Sequence, residues 1–110
     1  MDHTLQALAD PVRRAIVEHL MTGEQPVGAL ARRLPIAQSG VSRHLRILKA
    51  AGLVRVRPDG QRRLYSLQAA PFNELSEWLM QARRLWEDRL NTFETALARR
   101  RADHPTSEER

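Results

Sequence analysis

The sequence predicts a mainly α chain with one small β-hairpin, on three observations. Apolar residues recur at helical spacing in several stretches between residues 4 and 99. Prolines and glycines at positions 11, 23, 26, 35 and 52 cut those stretches into separate helices. Residues 53–67 alternate instead, and a Pro-Asp-Gly turn divides them.

Residues 4–9, TLQALA, make a short helical turn with Leu5 and Leu8 on one side. Asp10-Pro11 starts the next helix, because Asp caps and proline at the first position gives up no needed N–H. That helix runs about 11–22 with Val12, Ile16 and Leu20 spaced by four, and Gly23 ends it. Pro26 opens a third helix, about 26–33, with Val27, Leu30, Ala31 and Leu34 inward. Pro35 stops it, since the residue before proline avoids helical geometry. A fourth helix, about 37–51, carries an apolar seam of Val41, Leu45 and Leu48 up to the breaker Gly52. Leu53 to Arg57 and Arg62 to Leu67 then read as two strands around Pro58-Asp59-Gly60, where proline presets φ and glycine permits φ > 0. After a linker at 68–71, one long helix spans about 72–99. Its Phe72, Leu75, Leu79, Ala82, Trp86, Leu90, Phe93 and Leu97 recur in steps of three and four, close to a heptad seam. Trp78 and Leu85 widen that seam. A small core cannot cover so much apolar surface, so the helix is expected to pair with a copy of itself. Residues 101–110 are expected to form a flexible tail.

A chain of 110 residues with 42% hydrophobic content supports one small domain. It has no cysteine, which excludes disulfides, thiolate metal sites and thiol redox switching. No run approaches 18 apolar residues, and the N-terminus lacks a charged segment followed by an apolar one. A soluble, cytoplasmic protein with no membrane partner is the expectation. Catalysis finds no support. Ser42 and His44 lie two apart on a helix and diverge. No glycine-rich phosphate loop or paired-carboxylate cleft is present.

The net charge is +5, and its distribution says more than its total. Residues 31–65 hold nine basic residues against the single acid Asp59, a net +8, whereas residues 69–110 sum to −1. A polyanionic partner is implied for the middle third. There, two helices joined by a tight turn match helix-turn-helix geometry. Ala31 is small where helix backbones must approach, and Leu34, Ile36 and Val41 supply the inward wedge. Proline stands at 35, where glycine is usual, so this turn is stiffer. With Val41 and Leu45 inward, Gln38, Ser39, Ser42, Arg43 and Arg46 project outward. These residue types read base edges and phosphates of double-stranded DNA: Gln suits adenine, Arg suits guanine, Ser suits either edge or a phosphate. The basic hairpin that follows makes the unit a winged helix. Its Arg62 and Arg63 are candidates for phosphate or minor-groove contact. Strand alternation sends one of the two away, so one contact is expected, not both.

The segments ALADPVRRAIVEHL, PVGALARRL, QSGVSRHLRILKAAGLV and RPDGQRRLYSL, within residues 5–97, resemble the ArsR/SmtB family of bacterial transcriptional repressors. The resemblance implies a winged helix-turn-helix homodimer joined through its first and last helices. It would place Leu5, Leu8, Leu79, Trp86, Leu90 and Phe93 at the dimer interface. It also implies an autorepressor on an inverted-repeat operator, and many such proteins release DNA on binding a metal or metalloid. Here the pattern departs. The chain has no cysteine, and residues 72–99 hold no histidine, so no metal or cofactor is expected. Asp88 and Glu94 read most simply as solvated charges. His44 resembles the family's structural histidine, with a packing and hydrogen-bonding role. His19 reads as surface or dimer edge, and His3 and His104 lie in loose termini with no role assigned. An input from a small molecule, a partner protein or a metal at a non-standard site stays open, with Trp78, Leu85 and Trp86 lining an apolar pocket or, more simply, forming interface core. A winged-helix protein-interaction adaptor is the alternative function, though an adaptor has no need of the +8 segment.

Overall fold

The computed structural model describes residues 1–103. It contains α1 (Asp2–Ala7), α2 (Pro11–Leu20), β1 (Gln25–Pro26), α3 (Val27–Arg32), α4 (Gln38–Ala50), β2 (Val54–Asp59), β3 (Arg62–Leu67) and α5 (Ala69–Asp103). His104 and the rest of the expected tail lie outside the described residues. Residues 101–103 continue α5, which is longer at both ends than the 72–99 expected from the seam.

The chain divides into a unit of residues 1–75 and a second beginning at Ser76. In the first, the hydrophobic spacing closes around one core. Ile16, Val17 and Leu20 of α2, Leu30 of α3, and Val41, Leu45 and Leu48 of α4 are all buried. Leu53 and Val54 join them from the start of the wing, and Ala7 joins them from α1. Leu34 and Ile36 are partly buried against this cluster, as the wedge reading requires. Val17 was hidden from the spacing-by-four reading because it lies beside Ile16, where the inward face of α2 is widest.

Local chemistry sets the joints. The Asp10 carboxylate accepts from the backbone N–H of Val12 at 2.8 Å and of Arg13 at 3.1 Å, capping α2. α4 ends with Gly52 at φ +80, and the Leu53 N–H reaches back to the Leu48 carbonyl at 3.0 Å. This left-handed exit turns the chain from helix into strand across the three residues 51–53. The hairpin loop is only Gly60-Gln61, with Gly60 at φ +63. Pro58 lies within β2, which tolerates it as an edge strand.

The sheet is three-stranded, not the two-stranded hairpin expected. Gln25 and Pro26 pair antiparallel with Tyr65 and Leu64, giving the order β1-β3-β2. Pro26 therefore ends a strand and α3 begins at Val27. Two residues hold no alternation to read, so only the partner strand reveals this one. The second unit is the helix from Ser76 to Asp103, about 40 Å long at the usual rise per residue.

Leu45 is fully buried beneath α4 (0% exposed), whereas Ile47 on the same helix is 41% exposed. Leu45→Ala should cost about 2–5 kcal/mol in urea unfolding. Ile47→Ala should stay within about 0.5 kcal/mol of the parent.

Candidate nucleic-acid interface

Burying Val41, Leu45 and Leu48 fixes the roll of α4 about its axis. Ser39, Arg43 and Arg46 then occupy its outward arc, and all three are exposed. Gln38, Ser42 and Lys49 follow one another along the flank toward the wing, because positions 42 and 49 are seven apart. Gln38, Ser39, Arg43 and Arg46 are exposed, whereas Ser42 is half-buried on the flank, and Arg46 borders both edges.

The wing sorts its arginines by strand alternation. Val56 pairs with Tyr65 and Pro58 with Arg63, and the alternate pairs Arg55–Ser66 and Asp59–Arg62 take the other face. Arg63, Tyr65 and Val56 thus look toward α4. With Ser42, Leu45, Arg46 and Lys49 they line a cleft of about 270 Å³. Arg62 instead meets Asp59 at 3.1 Å. Of the two candidate wing contacts, the geometry brings Arg63 to the recognition helix and ties Arg62 to its own turn.

Some arginines are struts. Arg57 makes a two-pronged ion pair with Glu24, Nε to Oε2 at 2.8 Å and Nη2 to Oε1 at 2.6 Å. This pair holds the wing to the segment before β1. The Arg57 guanidinium, donating to the carboxylate, keeps Glu24 below its ordinary value of 4.5. Arg13 donates through Nε to the Ala7 carbonyl at 2.6 Å, and its Nη1 lies 3.5 Å from Nδ1 of His44. Arg14 donates to the Leu8 carbonyl at 2.7 Å. Two arginines of α2 thus clasp the end of α1, and one also reaches the recognition helix. The hydrogen-bonding role read for His44 has its partner here. The backbone N–H of Arg13, with that of Val12, holds the Asp10 carboxyl below its ordinary value of 3.8. Sequence reasoning missed Arg13 and Glu24 as site supports, since their partners lie 31 and 33 residues away.

On α5, Phe72 packs against the core, Leu75, Ala82 and Leu97 are half-buried, and the other large residues of the seam are exposed. Leu79, Trp86, Leu90 and Phe93 are exposed, Trp86 by 62% and Phe93 by 61%, and so are Trp78 and Leu85. In the first unit Leu5 is 45% exposed, but Leu8 packs partly against its own core. His19 is half-buried and His3 exposed. Among the described residues, no group of three His, Asp or Glu side chains could hold a metal ion, and no helix is long and apolar enough to cross a membrane.

A helix-turn-helix domain model matches residues 8–57. The transcriptional repressor SdpR of Bacillus subtilis is 31% identical over 73% of this chain and 89% of its own length. A solved ArsR family transcriptional regulator superposes with a TM-score of 0.70 at 32% identity, over 78% of this chain and 94% of that one. The chain belongs to the ArsR family of winged helix-turn-helix transcriptional regulators. The HTH-type transcriptional regulator Rv2034 of Mycobacterium tuberculosis is 56% identical over 60% of this chain, a match spanning 62% of that relative's length. Membership places this chain in a class of regulators, not enzymes.

The Glu24–Arg57 pair carries a pH signature. Because folding lowers the Glu24 value, its stabilisation is complete above 4.5 and fades as pH falls through the lowered folded-state value. Glu24→Gln should reduce the thermal midpoint at neutral pH, and the gap to the parent should close on acidification. A gap that is constant with pH would contradict the pairing.

Proposed function

We propose that this ArsR-family chain is a homodimeric, cytoplasmic repressor that binds an inverted repeat in double-stranded DNA. The observation that carries this reading is the outward arc of α4. Ser39, Arg43 and Arg46 are solvent-facing, and no carboxylate pairs with either arginine among the described residues. Arg43 takes a guanine edge, Gln38 and Ser39 take neighbouring base edges or phosphates, and Arg46, Ser42 and Arg63 hold backbone. Arg62, held by Asp59 at its own turn, is the weaker of the two wing candidates. The exposed Leu79, Trp86, Leu90 and Phe93 supply apolar surface for a second copy, and the exposed Leu5 of the first unit is a separate interface candidate. In the dimer, the two recognition helices would enter successive major grooves about 10 base pairs apart. The reading assigns no metal and no cofactor.

Fluorescence anisotropy with a duplex from the DNA upstream of the chain's own gene, against a scrambled duplex, tests it. The parent should prefer the upstream duplex, and its affinity should fall steeply with salt. Arg43→Ala should cost about 1–3 kcal/mol per half-site and relax base preference. Equal affinity for both duplexes would reject the reading. Trp86→Glu should convert a dimer to monomer in sedimentation velocity and weaken DNA binding in parallel.

A further inference from the structure

The cleft between α4 and the wing has a composition that base reading does not call for. Its walls carry three cations, Arg46, Lys49 and Arg63, and two hydroxyls, Ser42 and Tyr65. Its floor is the buried Leu45 and the partly buried Val56. Two independent periodicities build it. Ser42, Arg46 and Lys49 recur at four and three along one helix edge, and Arg63 and Tyr65 alternate along one face of β3. None of the three cations meets a carboxylate among the described residues, whereas Arg57 and Arg62 of the same wing both do. Converging, unneutralised cations with hydroxyl donors over an apolar floor suit a compact oxyanion such as a phosphate group.

We propose that this cleft is a phosphate clamp, in which Lys49 and Tyr65 from two different elements close with Arg63 on one phosphodiester of the DNA backbone. The proposal rests on the DNA-binding reading and deepens it. Lys49 and Tyr65 fix the register of the wing relative to the recognition helix on the duplex, and they carry no base information. Lys49, the only lysine in the chain, serves here as a compact charge. A free phosphate ion offers the same chemistry as a backbone phosphate, so the test separates the two.

The full chain is titrated with the upstream and the scrambled duplex over a range of salt, as parent, Lys49→Gln, Tyr65→Phe and Arg55→Gln. Arg55 lies on the opposite face of the hairpin, so its variant removes the same charge away from the cleft. Lys49→Gln should weaken both duplexes by the same factor, roughly three- to tenfold, and lower the salt slope by about one per recognition helix engaged. Tyr65→Phe, which keeps the ring, should weaken both duplexes less and leave the slope alone. Arg55→Gln should change affinity and slope less than Lys49→Gln. An unchanged slope in Lys49→Gln, or an equal effect from Arg55→Gln, overturns the clamp. Inorganic phosphate followed by amide shifts at Lys49 and Tyr65 supplies the second arm. Saturable shifts there, with a DNA slope indifferent to Lys49, assign the cleft to the free ion and overturn the backbone assignment. Should the parent fail to prefer upstream DNA, the repressor reading falls. The scrambled-duplex slopes still decide the clamp.

Discussion

The seam of Val41, Leu45 and Leu48 is the constraint on which everything else depends. Those three side chains fall within one narrow arc of α4 and are fully buried against residues from α2, α3 and β2. A helix buried along so narrow a stripe cannot roll without exposing leucine and burying arginine. Burying an unpaired guanidinium costs far more than a lost methylene contact. The core therefore decides which residues face solvent, and it does so for the whole helix at once. The reading edge and the wing-facing edge both follow from that one choice.

The arginines divide by what lies within reach. Arg13 and Arg14 spend their donors on carbonyls at the end of α1, which a helix terminus leaves without partners. Arg57 spends its donors on Glu24, and Arg62 on Asp59. Arg13, Arg14 and Arg57 each tie separate segments together, whereas Arg62 braces its own turn. Arg43, Arg46 and Arg63 have no such partner among the described residues, and Arg46 and Arg63 meet at the cleft between the recognition helix and the wing. Net charge therefore overstates the field available to a polyanion. The sites that matter are those where cation density survives internal pairing.

The helices were legible because their signals are local. Asp10-Pro11, Gly52 and the four-residue steps of α2 and α4 each act within a turn or two of the chain, and the structure agrees with them closely. The identity of the outward residues on α4 was equally legible, since it follows from the seam. What stayed hidden were features decided by distant partners. β1 is two residues long and exists only because β3 lies beside it. Composition could not distinguish Arg62 from Arg63, and only strand register did so. Lys49 and Tyr65 entered the cleft from elements whose separation along the chain gives no hint of their meeting. The apolar stripe of α5 was plain in the sequence, and its Leu79, Trp86, Leu90 and Phe93 stand exposed.

The central claim is that a buried aliphatic seam presents the opposite edge of α4 to duplex DNA. The most direct measurement is a map of NMR shifts in the full chain as a duplex from its upstream DNA is added. The account predicts the largest changes at Ser39, Ser42, Arg43, Arg46 and Arg63, with Gln6 and Ile47 quiet. Changes centred on α1 and Ile47, with the Arg43 edge silent, would contradict it.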